Sequence, residues 1–170
     1  MTDAAYKAKL WLEQLTDLYA DAEKNRREIE VIESRINCAV SSYENTGAGH
    51  ADLIVKQQQH EDALLTYSEK QTEYERKYRL FVRYELAAIN LLDLMPDYFH
   101  SALLIDRYIN FLKWEEIEKI YKDEYKKSQL FRLHALALEE FAPLLDVEAP
   151  RAIQEAEATI KKYQTQAAAC

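Results

Sequence analysis

The chain has 170 residues, enough for one domain or one domain with an appendage. Hydrophobic residues make up 48%, which supplies a core, while two glycines and three prolines exclude a turn-rich β architecture. Two glycines also cannot build a dinucleotide fingerprint, a P-loop or a nucleophile elbow, and a formal charge of -8 argues against indiscriminate nucleic-acid or membrane binding.

No apolar run approaches the ~18 residues of a membrane span, and no basic stretch with an apolar core opens the chain. The expectation is a soluble, unexported protein without membrane contact. Cys38 and Cys170 are too few for a disulfide scaffold and lack metal-ligand spacing, which suits a reducing cytoplasm.

The first segment, from Asp3 to Tyr43, predicts one long helix. Apolar or small residues fall at Ala4, Ala8, Trp11, Leu15, Leu18, Ala22, Ile29, Ile32, Ile36, Ala39 and Tyr43, in alternating steps of four and three. That 3.5-residue period is a coiled-coil seam, with the polar Asn25 placed on it. A seam so regular predicts self-association through Leu15, Leu18, Asn25, Ile29, Ile32 and Ile36. Both glycines lie in the stretch from Glu44 to His50, where the chain is expected to reverse. A second long helix over 51–94 then carries a wetter seam: Leu53, Gln57, His60, Leu64, Tyr67, Gln71, Tyr74, Tyr78 and Phe81. Residues 1–95 thus read as an antiparallel helical hairpin, a stalk.

Pro96 closes the second helix, and Asp97 caps the next, expected to run through Leu112. A short helix covers Trp114 to Tyr121, and a polar joint of Lys122, Asp123 and Glu124 leads to a helix from Lys126 to Phe141. Pro143 and Pro150 predict a linker over 144–149, followed by a last helix from Arg151 to Gln166 and a fraying Ala-rich tail. The fold class is all-α: a long coiled-coil hairpin (1–95), a helix-turn-helix domain (96–142), then a linker and C-terminal helix (143–170).

Nothing points to catalysis. His50, His60, His100 and His134 do not pair at helical spacing, Glu115 and Glu116 suit a helix start, and no serine, cysteine or lysine has a base partner. No enzyme, metal or cofactor is expected. Basic residues instead concentrate at Lys119, Lys122, Lys126, Lys127 and Arg132, around two short helices joined by a turn. A plain helical bundle with solvated lysines is the bland alternative.

The elements Arg107-Tyr108-Ile109, Trp114-Glu115-Glu116-Ile117 and Arg132-Leu133-His134 resemble the sigma-factor region-4-like domain of a phage protein family related to the ArpU/RinA-type transcriptional regulators. The resemblance, spread over most of residues 7–141, implies a helix-turn-helix with Trp114, Ile117, Leu133 and Leu138 in its core. It also implies that Lys126, Lys127, Ser128, Gln129 and Arg132 face double-stranded DNA, in the cytoplasm of a bacterial host. Against the family pattern, the interval from Trp114 to His134 is two residues longer, and Glu124 stands where glycine is usual. The expected function is a phage or prophage DNA-binding regulator, its hairpin serving dimerisation or contact with host RNA polymerase. The alternative is an acidic helical module that kept the fold, lost the DNA and binds another host protein as inhibitor or scaffold.

Overall fold

The computed structural model describes the backbone of residues 1–43 and 50–168 and the side chains of residues 1–38 and 54–160. The protein is all-α. Five helices follow in order: α1 (Asp3–Tyr43), α2 (His50–Leu92), α3 (Tyr98–Leu104), α4 (Trp114–Ile120) and α5 (Lys127–Ala168), with a π-helical turn, Ile105–Ile109, directly after α3. Among the described residues there is no strand, and no helix is long and apolar enough to cross a membrane. The glycine turn from Glu44 to Gly49, the side chains of Ala39, Tyr43 and Leu53, and the last two tail residues lie outside the described residues.

The chain divides into two compact units: residues 1–18 with 80–170, and residues 19–79. The first eighteen residues and the end of α2 therefore belong with the helices that follow, not with a stalk ending at residue 95. The cause is packing. Ala5, Ala8, Leu12 and Leu15 of α1 are fully buried in one core with Ala87, Ala88, Leu91 and Leu92 of α2 and Ala137, Leu138 and Phe141 of α5. Alanines at these positions bring the backbones close, and Trp11 reaches Phe141 and Tyr84 at 6.1 and 6.3 Å between ring centroids. Ala5 rather than Ala4 is the buried alanine of the first turn, and Leu12 lies on the seam beside Trp11.

Two helix boundaries differ from the expectation, and one cap agrees with it. Asp97 caps α3 as predicted, its carboxylate accepting the His100 backbone N–H at 3.0 Å. The helix does not reach Leu112: the π turn ends it at Ile109, and Phe111 takes a left-handed φ of 54°. There Arg107 holds the reversed chain by donating to the Leu112 carbonyl at 2.8 Å. Nor is there a linker between Pro143 and Pro150, because α5 runs through both. Leu138, Phe141, Leu145, Ala149, Ala152 and Ala156 recur at steps of three and four and face the core across the interval, while both prolines sit outside. Burial of that stripe outweighs the hydrogen bonds the prolines forfeit.

In the unit of residues 19–79, α1 and α2 lie side by side and antiparallel. Lys77 Nζ meets Asp21 at 3.2 Å, Lys70 Nζ meets Glu28 at 2.8 Å, and the Tyr67 hydroxyl donates to Glu33 at 2.8 Å, one helix advancing as the other recedes. Ala22 and Asn25 are buried on α1, and Ile29, Ile32 and Ile36 are half-buried along the same stripe. The facing stripe of α2 matches the predicted seam only in part: His60, Tyr67 and Tyr74 are half-buried and Phe81 is buried. Gln57, Leu64, Gln71 and Tyr78 are exposed, whereas Lys56, His60, Ala63, Tyr67, Lys70, Glu73 and Lys77 are half-buried. The half-buried Lys70 and Lys77 bond across the pair through their ammonium heads, contacts that apolar periodicity does not report.

Candidate nucleic-acid interface

A second, smaller core holds the residues to which DNA contact was assigned. Leu103 of α3, Ile117 of α4 and Leu130 of α5 are fully buried together, ringed by Phe99, Leu112, Trp114, Tyr121, Tyr125 and Leu133. Phe99 meets the Tyr121 ring edge-on at 5.2 Å and the Tyr125 ring at 4.7 Å. The connection between α4 and α5 spans residues 121–126 and closes on itself without glycine, the amides of Glu124 and Tyr125 both donating to the Tyr121 carbonyl. Tyr121 in turn donates to Asp106 at 2.8 Å, and burial together with that carboxylate pushes its phenol well above the ordinary range.

Both helix starts are stapled by a side chain in the third position. Glu116 accepts the Lys113 backbone N–H at 2.7 Å, and Gln129 accepts the Lys126 backbone N–H at 2.8 Å. The first two turns of α5 therefore have a fixed start, and Lys126, Lys127, Ser128, Gln129 and Arg132 are all exposed there. The structure brings these five residues together. Two of them carry structural contacts: Gln129 by capping, and Lys127 by an ion pair with Glu118 at 3.0 Å. That acid lies nine residues earlier on another helix, a spacing that gave no signal in the sequence.

The three elements carrying the resemblance converge behind this surface. Arg107 lies over the Trp114 ring, 5.6 Å from its centre. Trp114 packs on Phe131 at 4.5 Å and edge-on to His134 at 5.0 Å, and His134 Nε2 is bonded to the Tyr108 hydroxyl at 3.1 Å. Burial foremost, then the charges of Arg107 and Lys9, lower the His134 pKa to about 4, so the ring is neutral at pH 7. Burial, with the Glu13 carboxylate, pushes the Tyr108 phenol far up. These residues form a structural bracket between the π turn, α4 and α5. His100, for its part, meets Glu140 at 2.7 Å.

The expected helix-turn-helix core is divided. Ile117 is buried and Trp114 and Leu133 are half-buried around the small core, but Leu138 belongs to the larger one with Phe141 and Leu104. The expected association seam is divided too. Leu15 is fully buried inside its own chain, Leu18 packs against the same core, and Asn25 is buried with Oδ1 accepting from Lys77 at 3.1 Å. Those three are not available to a second chain, because α2 and α5 already cover what the heptad pattern offered. Comparison with family models, with curated proteins and with solved structures finds no match to this chain.

Proposed function

We propose that the chain is a phage or prophage DNA-binding transcriptional regulator that reads its operator with the start of α5, its long helices serving dimerisation or contact with RNA polymerase. The observation that carries this reading is the presentation of Lys126, Lys127, Ser128 and Arg132 on two turns of α5 whose start is capped and whose base is clamped by Ile117 and Leu130. Lysines at a helix N-terminus meet phosphates, and an arginine one turn further in reaches base edges. Lys127 exchanges its Glu118 partner for phosphate at little cost, since an exposed ion pair is worth ~1 kcal/mol or less.

The test is a gel shift on DNA upstream of the protein's own gene at several salt concentrations. Binding through so few cations predicts a shallow salt slope, about three to five on a log-log plot at ~0.9 per phosphate contact. Lys127→Ala weakens binding to all sequences alike, whereas Arg132→Ala costs about 1–3 kcal/mol and relaxes discrimination at one position. A second reading, a protein-interaction module, is favoured by one feature. Phe131 and Leu136 are 42% and 45% exposed beside Arg132 on α5, an apolar presence that phosphates do not reward. That reading wins where no DNA shifts at low salt and an Arg132→Ala, Phe131→Ala chain loses a host protein that the wild type retains.

A further inference from the structure

We propose that residues 19–79 are the contact between two copies of the chain, the basic flank of α1 in one copy lying along the acidic flank of α2 in the other. This deepens the dimerisation part of the proposed function and is independent of DNA binding.

The basic flank is a groove of about 490 Å³ whose walls include Lys24, Arg27, Glu28, Val31 and Arg35. It stretches over ~22 Å of α1. Glu28 is neutralised by Lys70, but Lys24, Arg27 and Arg35 enter no ion pair among the described residues. Val31 is 51% exposed between them. On a chain of net charge -8, a row of three cations around an exposed aliphatic residue selects an acidic helix.

The same surface supplies that helix. Lys70 bonds both Glu28 and Glu73, at 2.8 and 3.4 Å, which sets Glu73 on the groove side of the pair. Glu69 and Asp62 precede Glu73 by four and eleven residues and so share its flank of α2, where Arg76, seven residues beyond Glu69, is the cation among these three acids. The contacts Asp21–Lys77 and Glu28–Lys70 fix the levels: Lys24 lies level with Glu73, and Arg35 level with Asp62. Turn a second copy by half a revolution about an axis running along the pair, and its α1 lies antiparallel over the first copy's α2 with those levels kept. Arg35 then meets Asp62, Arg27 meets Glu69, and each contact occurs twice, as a two-fold interface requires.

Burial supports a second copy as the occupant. Among the described residues of this unit, only Ala22 and Asn25 are buried, too few to hold two long helices. Four helices enclose Val31 and the half-buried isoleucines between them.

The experiment is sedimentation velocity on the full chain without DNA, in low and high salt. The wild type is expected to dimerise, more weakly as salt rises. One variant carries Arg27→Glu and Arg35→Glu, and the other carries Asp62→Lys and Glu69→Lys. Each alone sets like charges against each other, and its dissociation constant is expected to rise about a hundredfold. Mixed one to one, the two variants face opposite charges at every contact and recover the dimer. Circular dichroism on each variant follows its helix content, and the mixture tests the pairing whatever a single variant does alone. A wild type that is monomeric at every concentration, variants that remain dimeric, or a mixture that stays monomeric overturns the proposal. Gel shifts with the Lys127 and Arg132 variants are read separately, so failure of one reading leaves the other standing.

Discussion

Replacing His134 by glutamine isolates the acid sensitivity stored in the bracket behind α5. The imidazole titrates at about 4 in the folded chain, and at its ordinary 6.5 once unfolding exposes it. Between those values the unfolded chain binds a proton that the folded chain refuses, so stability falls as the pH drops through 6.5 and levels below 4. At 1.36 kcal/mol per pH unit, the full difference is about 3 kcal/mol, and about 2.5 kcal/mol of it is lost between pH 7 and pH 4.5. Glutamine keeps a polar group for the Tyr108 hydroxyl but has no proton to gain. The variant therefore starts less stable at pH 7, through lost packing on Trp114, and closes the gap as the pH falls. Carboxylates such as Glu73, held near 2 first by Lys77 and then by Asn25 and Lys70, weaken both proteins alike in acid, so the difference between the two curves reports the imidazole. Urea unfolding at about half-unit steps of pH measures it. Parallel curves for wild type and variant from pH 7 to pH 4.5, or a proton-resonance titration of His134 with its midpoint near 6.5, would refute the reasoning.

Pro143→Ala restores a backbone donor in the middle of α5 without touching the core, and is expected to stabilise the chain by about 1–3 kcal/mol, read as a higher melting temperature; a lower one contradicts the packing account of that helix. Ile117→Ala empties the centre of the small core, with an expected loss of about 2–4 kcal/mol and faster amide exchange in α4, and unchanged exchange there counts against it. Asn25→Leu exchanges a buried amide for an aliphatic group, at the loss of its contacts with Lys77 and Glu73, while Lys77 keeps Asp21 and Glu73. A raised melting temperature is expected, and a marked fall would show that Asn25 is indispensable to the pair.

The long helices, the Asp97 cap and the stripe of α1 were legible because each rests on local rules: period, capping chemistry and proline placement. The failures share one physical origin. At Pro143 and Pro150 the local rule says stop, yet a buried stripe from Leu138 to Ala156 keeps the helix whole. On α2 the hydrophobic pattern found Tyr67, which bonds across to Glu33, but also chose the exposed Leu64 and Tyr78 and passed over Lys70 and Lys77, which face α1 through their polar heads. Of the candidate interface, the five residues on α5 were legible as a basic start to a helix. The Glu118 counter-charge was not, because it depends on how a six-residue connection folds back; the capping duty of Gln129 is a local contact three residues along, and a reading that turned Gln129 toward DNA passed over it.

That distinction bears on what a motif resemblance can carry. Arg107, Tyr108, Trp114 and His134 make the likeness recognisable, and every one of them is spent on holding α4, the π turn and α5 together. A chain can keep such a bracket to preserve a fold while the outward side chains change freely. The bracket therefore predicts where the start of α5 is held, and says nothing about what it meets. The outward side chains near the start of α5 are Lys126, Lys127, Ser128, Gln129 and Arg132, with the apolar neighbours Phe131 and Leu136. The balance between the two sets is physical: phosphate rewards the cations and is indifferent to the ring and the leucine, whereas a protein surface gains most from burying them.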